Sequence, residues 1–72
     1  MTLKEIENSL SKAYQTLMKN NYLDITRFVS KEMEIEENSN AIGDPAIKEE
    51  YLIEEYSKVL QDMELEIARL EL

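Results

Sequence analysis

Apolar side chains recur every three or four residues along the first half of the chain, which is the spacing of one face of an α-helix. Thr2 followed by Glu5 forms a capping box, in which each side chain satisfies a backbone N–H at the start of a helix. We therefore expect one continuous helix over residues 2–37. Its apolar positions are Leu3, Ile6, Leu10, Tyr14, Leu17, Met18, Tyr22, Ile25, Val29 and Met33.

The pair Asn20 and Asn21 is the weak point of this first helix. Asn is a poor helix former, and Asp24 offers a side chain that could cap a new helix shortly afterwards. A break near residues 20–23 is therefore the alternative to a continuous helix.

A second helix is predicted over residues 45–71, after a loop at 38–44. Asp44 is a good N-cap, and Pro45 at the first helical position loses no hydrogen bond by lacking an N–H. Two apolar lines run along this helix. The main line is Leu52, Tyr56, Val59, Met63, Ile67 and Leu70, and the second line is Ile53, Leu60 and Ile67.

Together these elements predict an all-α fold, a single antiparallel helical hairpin over residues 1–72. At about 1.5 Å per residue the first helix would be about 54 Å long and the second about 40 Å, so Leu3 and Ile6 would project beyond the hairpin. One partner helix also covers only one of the two apolar lines. We therefore expect self-association when the chain is alone, and predict these partner-binding residues: Leu3, Ile6, Ile53, Tyr56, Leu60 and Ile67.

The charge and composition of the chain limit the classes of partner and the cellular compartments that we expect for it. Sixteen acidic residues against eight basic ones give a net charge of −8, which repels nucleic acid and anionic membranes. No apolar run has the length of a membrane span, and the absence of Cys suits a reducing compartment. We expect a cytoplasmic protein that inserts into no membrane and binds another protein.

Catalysis and metal binding are not expected, because the chain has neither His nor Cys and a helical hairpin offers no cleft. The segment from Asn38 to Glu49 matches a calcium-binding EF-hand loop at its first, third, sixth and twelfth positions. Ile42, however, stands where the fifth position must supply an oxygen ligand. We interpret the segment as a capped loop between helices, and predict no cofactor.

The layout as a whole resembles a known family. Met1-Thr2-Leu3 leads to Ile6-Glu7 and Leu10 in a long first helix, and the corner Gly43-Asp44-Pro45 precedes a helix that carries Tyr51. Over nearly the whole chain, this arrangement is similar to the small co-chaperones of type III secretion needles, the YscE/EscE-type family.

The resemblance implies a cytoplasmic bacterial protein that pairs with a larger chaperone of tetratricopeptide-repeat type. That pair would keep a needle subunit soluble before export, and the small protein would stabilise the chaperone. Such families carry no catalytic residues. The residues leave two alternatives open: a homodimeric helical bundle with a structural or adaptor role, and an acidic DNA mimic that inhibits a nucleic-acid enzyme.

Overall fold

The computed structural model describes residues 1–71, which form three α-helices. They are α1 (Leu3–Lys19), α2 (Thr26–Ser39) and α3 (Pro45–Glu71), and both α1 and α2 pack on α3. The prediction of an all-α chain is confirmed. The prediction of a two-helix hairpin is wrong, because the long first helix is interrupted and its second part turns back.

The starts of α1 and α3 follow the predicted capping patterns. The Thr2 hydroxyl accepts a hydrogen bond from the Glu5 N–H at 3.2 Å, and the Glu5 carboxylate accepts one from the Thr2 N–H at 3.0 Å. The Asp44 carboxylate accepts hydrogen bonds from the N–H groups of Ala46 and Ile47. Each carboxylate satisfies backbone donors that have no partner within the helix.

The interruption between α1 and α2 is a Schellman-type helix end centred on Asn21. Its φ angle of 58° lies in the left-handed region, which Asn tolerates better than most residues. The Tyr22 N–H donates to the Leu17 carbonyl at 3.0 Å, and the Asn21 N–H donates to the Met18 carbonyl at 3.1 Å. Asn21 therefore ends α1 in a hydrogen-bonded turn, and the break that was the alternative prediction is the one the chain adopts.

The break changes which residues of α2 face the core. Phe28 and Ile35 are buried, whereas Val29 and Met33, which a continuous helix would have placed on the apolar face, are exposed. Asp24 does not cap α2, since its carboxylate instead forms an ion pair with Arg27 at 3.4 Å. The apolar face of the first half thus divides into two faces of different register.

Both α1 and α2 pack against the wide apolar face of α3. Val59 lines a surface pocket with Phe28, and Glu66 lies 3.8 Å from Arg27, so this side of α3 faces α2. Leu60 lies 100° further round the helix, on the adjacent line that is available to α1. Both Val59 and Leu60 belong to one hydrophobic core.

Folding α2 back removes the predicted mismatch in helix length. The molecule measures 42 Å along its longest axis, about the length of α3 alone, and Ile6 is only 1% exposed. Glu7 near the start of α1 shares a cleft with Glu36 near the end of α2, so the two helices are antiparallel. The expectation that the first turns of α1 project beyond the rest of the protein is therefore wrong.

The helix end at Asn21 gives a testable prediction. Asn21→Ala should destabilise the fold by about 1 kcal/mol, because Ala disfavours a positive φ, and should lower the Tm by roughly 4–8 °C. Asn21→Gly should change the Tm little, since Gly adopts this φ without strain. Thermal unfolding followed by circular dichroism measures both, and equal Tm values for the two variants would contradict the assigned turn.

A second prediction concerns α3. Leu60 is 8% exposed, so Leu60→Asp should bury an unpaired carboxylate, cost several kcal/mol and abolish most of the helical signal. If the chain were the predicted two-helix hairpin, with Leu60 facing a partner, the fold would survive this change. Leu65 lies on the same helix but is 61% exposed, and Leu65→Asp serves as the matched control that keeps its fold. Urea unfolding of both variants tests the placement, and a stable Leu60→Asp protein would contradict it.

Candidate protein-binding surface

The residues predicted to bind a partner lie in several environments. Ile6 and Leu60 are buried, and Leu3 is half-buried. Ile53, Tyr56 and Ile67 are half-buried and pack against the core. Four of the six therefore come together on α3, but they line the chain's own interior and do not form an exposed face. Their role in partner binding stays a prediction.

A gap separates α1 from α2 where the two helices lie on α3. Although both helices pack on α3, no Cα atom of α1 comes within 8 Å of a Cα atom of α2 in the described part of the chain. Side chains cross this gap, because the Tyr14 hydroxyl donates a hydrogen bond to the Glu32 carboxylate. We call this feature the α1–α2 groove, and Tyr14 and Glu32 mark its middle.

Tyr14 and Glu32 form a half-buried polar contact. Burial raises the pKa of the Tyr14 phenol above its usual value, and the hydrogen bond to Glu32, whose negative charge opposes ionisation, raises the pKa further. The neutral phenol is the form that can donate to the carboxylate. The contact thus links α1 to α2 as long as Tyr14 keeps its proton.

One end of the α1–α2 groove opens into a cleft of about 330 Å³ above the start of α3. Leu52 and Tyr56 of α3 line it together with Glu7 of α1 and Glu36 of α2. The pKa of Tyr56 is raised by burial and then by the negative charges of Glu36, Glu32 and Glu7, which lie on both walls. Two carboxylates, those of Glu7 and Glu36, and one cation, Lys48, line this end of the groove, so negative charge exceeds positive charge there.

Exposed apolar side chains border the middle and the other end of the groove. Met18 follows Tyr14 by one turn on the same side of α1, and it is 65% exposed. Val29 and Met33 flank Glu32 on α2 and are 42% and 58% exposed. Because α1 and α2 are antiparallel and Tyr14 lies against Glu32, Met18 and Val29 lie beyond this contact and Met33 lies beside it.

Exposed apolar residues elsewhere are more scattered. Leu23 is on the turn between α1 and α2, Ile47 is in the first turn of α3, and Leu65 is on its outer face. Isolated apolar residues are ordinary on protein surfaces, whereas neighbouring ones on two facing helices are less so. The α1–α2 groove is therefore the best candidate for a binding surface.

The groove was not predicted from the sequence, because the helical spacing along the first half of the chain assigned Met18, Val29 and Met33 to the core. A signal for the correct register was present: Phe28 and Ile35 are seven residues apart and, with Ile25, Glu32 and Ser39, follow the helical spacing. Glu32 made that line less apolar than the alternative through Val29 and Met33. Only its contact with Tyr14 shows why an acidic residue can lie there.

Among residues 1–71, no group of three or more His, Cys, Asp or Glu side chains is arranged to hold a metal ion. Over the same residues, no helix combines the length and apolar character needed to cross a membrane.

The contact of Tyr14 with Glu32 predicts how stability depends on alkaline pH. Because the pKa of Tyr14 is raised on folding, its contribution is fully present below about pH 10, the usual pKa of Tyr, and is lost as the pH rises further. Tyr14→Phe cannot ionise and should lose less free energy of unfolding between pH 8 and pH 11 than the wild type. Urea unfolding at both pH values measures this, and equal losses would contradict the prediction.

Comparison with known proteins adds no relative from which a function could be transferred. The sequence matches no protein-family model, and neither a curated protein nor a solved structure matches the chain. What the chain does must therefore be argued from its own residues and geometry.

Proposed function

We propose that this chain is a co-chaperone that binds a larger helical-repeat chaperone and helps to keep a type III secretion needle subunit soluble before export. The observation that carries the binding role is the α1–α2 groove, where Met18, Val29 and Met33 are exposed on two facing helices. The identity of the partner comes from the resemblance of the sequence to the YscE/EscE-type family.

Two properties of the chain support a role in binding protein. Met side chains adapt to irregular apolar surfaces and are enriched at interfaces, and two of the three exposed groove residues are Met. Acidic side chains border the same groove, which favours a partner of opposite charge and disfavours like-charged competitors. We place the protein in the bacterial cytoplasm, which suits a chain without Cys.

The two alternatives fit these observations less well. A homodimer formed through the groove would bring together two chains that each carry a net charge of −8. A DNA mimic would present carboxylates on a face with few exposed apolar residues, whereas here the acidic groove also carries Met and Val side chains.

Co-purification tests the proposed function. A tagged chain expressed in its native bacterium should retain one tetratricopeptide-repeat chaperone, identified by mass spectrometry. The two purified proteins should then form a stable complex on size-exclusion chromatography. The needle subunit should stay soluble when it is co-expressed with both proteins and aggregate when the small chain is omitted.

Other outcomes would count against the co-chaperone. Retention of a nuclease or polymerase would favour the DNA mimic. Self-association, with no chaperone retained, would favour the homodimeric bundle. The Leu65→Asp variant is the control for tagging and expression, because it changes an exposed residue outside the groove.

A further inference from the structure

We propose that the α1–α2 groove binds a basic amphipathic helix of the partner, which lies along α1 and α2 as a fourth helix; this deepens the proposed function and rests on it. The shape of the groove is the first reason. The two helices lie on α3 without close backbone contact, and exposed apolar side chains border the gap between them. A helix that inserts apolar side chains into such a channel is a common mode of peptide recognition.

The size of the groove matches a short helix. With 14 residues, α2 is about 21 Å long, and α1 with 17 residues is slightly longer. A partner helix of roughly four turns would therefore run the full length of the α1–α2 groove. Its apolar side chains would cover Met18, Val29 and Met33, which would complete a four-helix bundle.

The charge of the groove selects a basic partner. Glu7 of α1 and Glu36 of α2 line the cleft together with Tyr56, and Glu32 of α2 lies against Tyr14 in the middle of the groove. The cleft at this end is lined by Lys48 as well, so the acidic side chains outnumber the basic one. A Lys or Arg side chain from the partner would find a carboxylate on either side and the rings of Tyr14 and Tyr56 nearby.

The same charges argue against a second copy as the occupant. Each copy would bring its own Glu7, Glu32 and Glu36 towards those of the other, and the net charge of −8 adds a general repulsion. A partner of opposite charge meets attraction at the sites where a second copy meets repulsion.

Binding of a designed peptide to the full chain tests this surface. The probe is a labelled 16-residue amphipathic helix of Leu and Lys, and its control has Glu in place of every Lys. Fluorescence anisotropy should show binding of the Lys peptide that weakens as salt is raised, and no binding of the Glu peptide. Nuclear magnetic resonance of the labelled protein should place the largest shift changes at Met18, Val29 and Met33.

Matched double variants separate the groove from other exposed apolar residues. Val29→Ser with Met33→Ser should weaken binding of the Lys peptide about tenfold or more, because both side chains lie on the groove. Ile47→Ser with Leu65→Ser removes two exposed apolar residues of α3, and should change the affinity less than about twofold. All four positions are exposed, so both variants should keep the wild-type circular dichroism.

The proposed groove would be contradicted by equal affinities of the two double variants or by shift changes confined to the outer face of α3. A dimer of the chain that dissociates in the groove variant would contradict it as well. Binding of the chaperone itself distinguishes failure of the proposed groove from failure of the proposed function. If the Val29→Ser, Met33→Ser variant still binds the chaperone fully, the groove is wrong and the co-chaperone stands. If the peptide binds in the groove but no chaperone is retained, the groove stands and the co-chaperone is wrong.

Discussion

The apolar face of α3 is too wide for one helix to cover, and the arrangement of the whole chain follows from this. Val59 and Leu60 are adjacent in sequence and 100° apart around the helix, yet both are buried. One helix laid along α3 covers a single line of side chains, so two helices are needed to cover both. A chain of 72 residues supplies the second helix by breaking the first one and folding it back.

The break between α1 and α2 also determines which apolar side chains stay exposed and available for binding. A continuous first helix would have a single apolar face, and its N-terminal turns would extend beyond α3. With the Schellman-type end at Asn21, α2 returns beside α1 in a different register, so that Phe28 and Ile35 enter the core. Val29 and Met33 consequently point away from α3 and, with Met18, remain exposed. The binding surface is thus a consequence of the same turn that completes the core.

Electrostatics give this surface its selectivity. Folding brings Glu7 of α1 and Glu36 of α2 to one cleft, although these residues are far apart in the sequence, and Glu32 lies nearby against Tyr14. The Tyr14 hydroxyl donates a hydrogen bond to the carboxylate of Glu32, whereas Glu7 and Glu36 remain exposed to solvent. Acidic side chains beside exposed Met and Val favour a partner that is both basic and apolar, which is a more specific requirement than net charge alone.

The helical class and the helix starts could be predicted from the sequence, because they depend on neighbouring residues. Thr2 with Glu5, and Asp44 with Pro45, act through contacts within four residues of the chain. The weakness at Asn20 and Asn21 was also visible, but local preference could not decide between a poor helix and a break. The break is favoured by tertiary contacts, because folding back buries Ile6, Phe28 and Leu60 in one core. The α1–α2 groove could not be predicted for the same reason: it exists only once residues from two helices are brought together.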